Sequence, residues 1–231
     1  LTWPAGVRPP VAVVFDCDGT LVDTETVTRT AMEASLADVG VELSDETFAR
    51  MLGHPWPRTL ALMQAELGMD AAAVGAYRAG MARRMPDLLD DPTLVFPDVV
   101  ETLDALGEAG VPVAVCTSSG RDHLRTVLGL PGLRGRFGVQ VARQDTEQHK
   151  PSPVPYRAAL AGLAEELGRP LPAGLATVVE DSAPGVAAGV AAGCRTVGID
   201  RGTRLHDLSA AHVVVAHLTA AVLAHPHEPH A

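Results

Sequence analysis

Two aspartates one residue apart, Asp16 and Asp18, follow the apolar run Val11–Phe15 and precede Gly19-Thr20. A short, continuous, mostly β-branched run reads as a strand buried on both faces. In an open α/β sheet, ligands bind beyond the carboxyl ends of the strands, so these two carboxylates are placed for chemistry. The plainer alternative is a turn, since acids and glycine commonly punctuate a strand end. An EF-hand loop is excluded. With Gly19 as its sixth position, the first ligand position would be Val14, inside the apolar run.

Other strand-like runs also end in polar residues. Val113–Cys116 is followed by the hydroxyls Thr117-Ser118-Ser119, and Thr177–Val179 by Glu180-Asp181-Ser182. Lys150-Pro151 stands before a helical segment, and Lys150 is the only lysine among 18 basic residues. A compact ammonium on a flexible stem is a different tool from a planar guanidinium fork. Taken singly, these residues read as helix caps, a surface charge and turn formers. Taken together, they describe a site, because parallel strands bring their ends to one edge of the sheet. Three or four carboxylates with one lysine make a hard, oxygen-rich set suited to Mg²⁺, and no His/Cys cluster offers a zinc site. A hydroxyl, a lysine and helix N-termini are donors for phosphate. One carboxylate can attack phosphorus and form an aspartyl-phosphate. The other can protonate the leaving oxygen and then activate water, with Mg²⁺ and Lys neutralising the equatorial oxygens.

The elements that must position this set follow from the pattern of the chain. At 231 residues it can bury a proper core. A net charge of −10 argues against nucleic acid or an anionic membrane as partner, and no apolar run reaches transmembrane length. The first residues, Leu-Thr-Trp-Pro-Ala-Gly, lack a basic region and an apolar signal core. Three scattered cysteines, Cys17, Cys116 and Cys194, form no C-x-x-C. Reduced thiols and a cytoplasmic location are expected. After the first strand the period turns helical, predicting helices near 24–39, 44–52, 57–67 and 70–89, with Thr24 as N-cap of the first. From there strands and helices alternate, with a capping box at Asp98-x-x-Glu101 opening one helix. The expected fold is α/β, a doubly wound parallel sheet formed by 1–23 and 94–231, with an all-helical cap inserted at 24–93. Gly185, Gly189 and Gly193 are spaced to let a helix lie close on the sheet. The tail carrying His225, His227 and His230 reads as a frayed terminus rather than a metal site.

Asp16-Cys-Asp-Gly-Thr-Leu-Val-Asp-Thr-Glu25, Thr117, Lys150-Pro151 and Glu180-Asp181-Ser182 resemble, in order, the motifs of the haloacid dehalogenase-like superfamily. The helical insert is similar to the cap of its phosphoglycolate phosphatase and β-phosphoglucomutase branch. The resemblance implies Asp16 as nucleophile and Mg²⁺ ligand, and Asp18 as general acid/base with its backbone carbonyl on the metal. Thr117 would bind the phosphoryl group and Lys150 would bridge it to Asp16. Asp181 would ligate Mg²⁺ directly, with Glu180 direct or through water. Gly19 and Ser118 are further candidates for phosphate contact. Arg58 and His54, in a stretch resembling the family's specificity loop, and Arg121 are candidates for the rest of the substrate.

Within the family, Asp18 speaks against a dehalogenase, which has an aromatic residue there. Phosphonate hydrolases need a cap lysine, and none lies between residues 24 and 97. The hexose-phosphate mutases carry a histidine where this chain has Thr28, which lowers that alternative. Hydrolysis of a small phosphomonoester is the favoured reaction, by a monomer or weak homodimer. A non-enzymatic phospho-receiver shares the Asp, Thr/Ser and Lys-Pro but lacks a helical insert and needs no acid at position 18.

Overall fold

A computed structural model describes residues 8–51, 56–202 and 207–224. The expectations for His54, for the side chain of Arg58 and for the histidine tail lie outside the described residues and side chains. Two compact units make up the chain, one of Leu1–Val22 with Pro92–Ala231, the other of Asp23–Asp91.

The first unit is built on six parallel strands in the order β3-β2-β1-β4-β5-β6. They are β1 (Ala12–Phe15), β2 (Val113–Cys116), β3 (Val139–Val141), β4 (Ala176–Glu180), β5 (Arg195–Ile199) and β6 (Val213–Val215). The three central strands are buried along their whole length, which is why they are continuous apolar runs rather than alternating ones. The edge strands β3 and β6 are short and partly exposed, a common way of blunting a sheet edge. Strand order reverses between β1 and β4, so this pair marks the switch point at which doubly wound sheets bind ligands. Val14 pairs with Ala114 on one side and Val178 on the other, which brings the ends of β1, β2 and β4 level.

Helices cover the sheet. On one face Tyr156 and Leu163 of α7 (Val154–Leu167) and Ala188 of α8 (Ala183–Ala192) pack with Val14, Cys116 and Val178. On the other, Phe15 meets Phe137 edge to face at 6.2 Å. Gly189 has the place expected for close packing, since a Cβ there would lie 2.8 Å from Thr196 Oγ1. The remaining helices of this unit are α5 (Pro97–Glu108), α6 (Arg121–Leu128) and α9 (Ala220–Leu223). The expected capping box at Asp98 does not form: Phe96 is the N-cap and Pro97 opens α5. The Asp98 carboxylate is instead taken by Arg201, at 2.5 Å, and by the Leu218 N–H.

The second unit comprises α1 (Thr24–Ala37), α2 (Asp45–Met51), α3 (Trp56–Leu67) and α4 (Ala71–Leu89). Asp23 rather than Thr24 caps α1, its carboxylate accepting from Thr26 N–H at 3.1 Å. The unit has its own methionine-rich core around Met32, Leu36, Phe48, Met63 and Tyr77. Arg83 and Arg84 of α4 reach Asp38, just past α1. Among the described residues no helix is long and apolar enough to cross a membrane.

Candidate active site

The backbone ladder continues past β1, with Asp16 N–H donating to Val179 O at 2.9 Å. This sets the Asp16 carboxylate beside the end of β4, where Lys150 meets it. The Lys150 ammonium donates to Asp16 Oδ1 at 2.5 Å, to Glu180 Oε1 at 2.6 Å and to the Cys116 carbonyl at 2.9 Å, which uses its three hydrogens. It also lies 4.9 Å from the centre of the Tyr156 ring. The Lys150 side chain is 4% exposed and that of Glu180 0%, so neither is stabilised by bulk water and each depends on its partners.

Glu180 is correspondingly well served. Tyr156 donates to Oε1 at 2.7 Å, while Ser182 donates to Oε2 through both its N–H (3.1 Å) and its hydroxyl (2.9 Å). With Lys150, these donors fill the acceptor positions of the carboxylate. Gly185 makes the space, because a Cβ there would sit 1.7 Å from Glu180 Oε1. Asp181 rests over Gly19 in the same way, 2.1 Å from where a Cβ would be, and accepts from the Thr20 hydroxyl at 3.3 Å. Gly19 has φ +76°, a left-handed conformation that glycine adopts without a Cβ penalty.

Asp18 sits on the tight turn after β1. Its Oδ2 accepts from Ser119 Oγ at 2.7 Å and Thr117 Oγ1 at 3.2 Å, and its Oδ1 lies 2.6 Å from His123 Nε2. Thr117 in turn accepts from the Ser119 N–H at 2.9 Å.

Electrostatics follow from burial and neighbours. Burial pushes Asp16 well above the usual carboxylate range, and Lys150 opposes this without cancelling it while Glu180 and Asp181 add to it. Asp181 is raised by burial and then by Glu180. Burial works against the charge on Lys150, but Asp16 and Glu180 outweigh it, so the ammonium is retained. For His123, burial disfavours the imidazolium, and the hydrogen bond to Asp18 together with the Asp18 charge outweighs it, raising its pKa.

Carboxylate oxygens of Asp16, Glu180 and Asp181 lie within 4.8 Å of one another. An all-oxygen anionic set of this kind fits a hard divalent cation. Cys17, Asp18 and His123 form a second such group. Burial, Asp18 and Asp16 raise the Cys17 thiol well above its ordinary range, which disfavours its thiolate in the metal-free protein.

A family model described as haloacid dehalogenase-like hydrolase matches residues 11–193. The chain belongs to this family. It is 32% identical over 200 residues to a phosphoglycolate phosphatase of Rhodospirillum rubrum, covering 84% of this chain and 80% of that one. It is 30% identical over 220 residues to the CbbY protein of Rhodobacter capsulatus, with 91% and 94% covered. The crystal structure of CbbY from Rhodobacter sphaeroides in complex with phosphate superposes with a TM-score of 0.73, at 25% identity and 93% and 96% coverage. These likenesses set the chain among the haloacid dehalogenase-like enzymes beside relatives named phosphoglycolate phosphatase and CbbY.

The haloacid dehalogenase-like core brings Asp16, Asp18, Gly19, Thr117, Lys150, Glu180 and Asp181 to one edge of the sheet. Ser118 stands exposed beside them, and it is Ser119 that reaches Asp18. Arg121 is bound to the Asp145 carboxylate, and its N–H donates to Gln144 Oε1 at 3.1 Å. Sequence reasoning passes over His123, Tyr156 and Thr20. Helical side chains lean back toward the N-terminus of their helix. A polar residue in the first turn of a helix that starts at the functional sheet edge is therefore the signal that could have found His123. Tyr156, in the first turn of α7, is found by the same rule.

Proposed function

We propose that this enzyme is a cytoplasmic, Mg²⁺-dependent phosphatase that hydrolyses a small phosphomonoester, of the sugar phosphate or phosphoglycolate kind, through an aspartyl-phosphate on Asp16. The observation that carries this reading is the pairing of Asp16 with Lys150 at 2.5 Å, with the Asp16–Glu180–Asp181 oxygen cluster at the same strand ends. The activity named for the phosphoglycolate phosphatase relative supports it. Three buried, unpaired cysteines accord with a reducing compartment.

Asp16 and Asp181 would hold the cation, together with the backbone carbonyl of Asp18. Glu180, whose carboxylate is already filled by Lys150, Tyr156 and Ser182, would act through water. Bound there, Mg²⁺ would neutralise carboxylate charge and draw charge from the phosphoryl oxygens. Lys150 keeps one Asp16 oxygen in place, and the other attacks phosphorus as the bond to the leaving oxygen breaks. Asp18 gives that oxygen its proton. In the second half Asp18 takes a proton from water, the water oxygen bonds to phosphorus, and the P–O bond to Asp16 breaks to release phosphate. Thr117 and Gly19 would contact the phosphoryl group.

Phosphate release from a panel of phosphomonoesters, with Mg²⁺ and with EDTA, tests the proposal. Continuous release with at least one ester, abolished by EDTA, is expected. Release indifferent to EDTA would overturn the metal assignment. Conversion of glucose 1-phosphate to glucose 6-phosphate without net phosphate release would replace hydrolysis by mutase chemistry.

A further inference from the structure

The Asp18 carboxylate is held through both of its oxygens, from two elements. Ser119 and Thr117, which directly follow β2, donate to Oδ2, whereas His123, in the first turn of α6, meets Oδ1 at 2.6 Å. The turn beneath is fixed by its own backbone, with Leu21 N–H on Cys17 O at 2.8 Å and Gly19 N–H on Val22 O at 2.9 Å. This anchors the Asp18 main chain but leaves its side-chain torsions to whatever the carboxylate touches.

Ser119 and Thr117 grip only Oδ2, and hydrogen bonds tolerate some rotation about the Cβ–Cγ bond. A contact on the opposite oxygen, from a different element, narrows that residual range. Thr117 is the longest of the contacts, at 3.2 Å, and its oxygen also accepts from Ser119 N–H. Under the proposed function it has a phosphoryl group to serve as well. His123, at 2.6 Å, is the shortest of these contacts and the one that holds Oδ1 from α6.

We propose that His123 is a positioning residue whose Nε2 locks the Asp18 carboxylate in the direction required for proton transfer in both halves of the reaction. The inference rests on the reading of Asp18 as general acid/base. Its physical basis is that misplacing a reacting group by a fraction of its bond reach forfeits much of the advantage of a preorganised site.

The test is a double-mutant cycle on the full-length enzyme with Mg²⁺, using wild type, His123→Ala, Asp18→Asn and the double variant. His123→Ala should lower kcat by about 10–100-fold with KM nearly unchanged, as for loss of a group that orients a reacting one. On the Asp18→Asn background the same change should cost less than about twofold, because residues acting through one another are not additive. His123→Gln, whose amide N–H can donate from a similar place, should recover most of the rate, and His123→Phe, which has a ring but no donor, should not. The phenylalanine and glutamine pair also serves if the alanine variant does not fold. An equal loss on both backgrounds, or a rise in KM alone, would overturn the proposal. Crystal structures of wild type and a donor-less variant provide a readout that does not need turnover. The Asp18 carboxylate should turn away in the variant, and an unchanged orientation would contradict the proposal. If wild type releases no phosphate from any ester, the reading of Asp18 as acid/base fails, while the two crystals still decide whether His123 positions it.

Discussion

Lys150 joins two acids on different segments, and its removal would leave both buried without their cation. Losing one partner of a buried charge cluster costs about 3–5 kcal/mol, so Lys150→Met should lower stability by about that much in urea unfolding of the metal-free protein. Near-wild-type stability would show that Asp16 and Glu180 do not depend on it. Lys150→Arg should not restore activity, because a planar fork cannot reach Asp16, Glu180 and the Cys116 carbonyl from one nitrogen. Asp18→Asn should slow steady-state turnover by roughly 10²–10⁴, as for loss of general acid–base catalysis, whereas a rate within a few-fold of wild type would remove Asp18 from the chemistry. At this scale the strand-end residues were legible because their positions are strand ends, and Lys150 because it has no other lysine for company. His123 and Tyr156 were passed over, because the first-turn rule that marks them needs the helix starts near the sheet edge to be placed first. The structure shows both at the start of α6 and α7, with His123 on Asp18 and Tyr156 on Glu180.

Among the elements, α8 carries the sharpest constraint. Its Gly185 faces the Glu180 carboxylate with no room for a methyl group, so Gly185→Ala should displace Glu180 or the helix and destabilise by about 1–3 kcal/mol. Activity should fall with it, through the loosened Lys150. Gly107 in α5 has open space where its Cβ would go. There the same substitution should stabilise by about 0.4–1 kcal/mol through the unfolded chain. Thermal unfolding of the two variants checks both signs, and two shifts of like sign would contradict the packing described. The strands were readable as continuous β-branched runs because both faces of the sheet are covered. Cap positions were less so. Asp23 displaces Thr24 at α1 because its carboxylate reaches the Thr26 N–H. Asp98 leaves its capping box because Arg201 binds it; the Arg201 guanidinium also donates to Thr20 O and lies 3.9 Å from the Phe96 ring. Long-range partners of this kind have no local signature.

For the molecule as a whole, the raised pKa values of Asp16 and Asp181 couple stability to pH and to metal. Both lie above the unfolded value of 3.8. Their contribution to the metal-free fold is therefore fully present below that pH and lost as pH rises through the raised values. A cation that binds the deprotonated forms acts in the opposite sense. Mg²⁺ should accordingly raise Tm, and by more at about pH 8 than at about pH 5; equal shifts at both, or none, would contradict the site. The doubly wound architecture was legible from the alternation of runs, and the helical insert from the unbroken helical period that interrupts it. The covalent step is the claim on which the rest turns, and it can be observed directly. With an aryl phosphate, whose leaving group needs no proton, the Asp18→Asn enzyme should still transfer phosphoryl to Asp16 but hydrolyse it slowly. Acid quench followed by peptide mass spectrometry should then find one phosphoryl group on Asp16. A phosphoryl group on another residue, or sustained turnover with Asp16 never modified, would contradict the account.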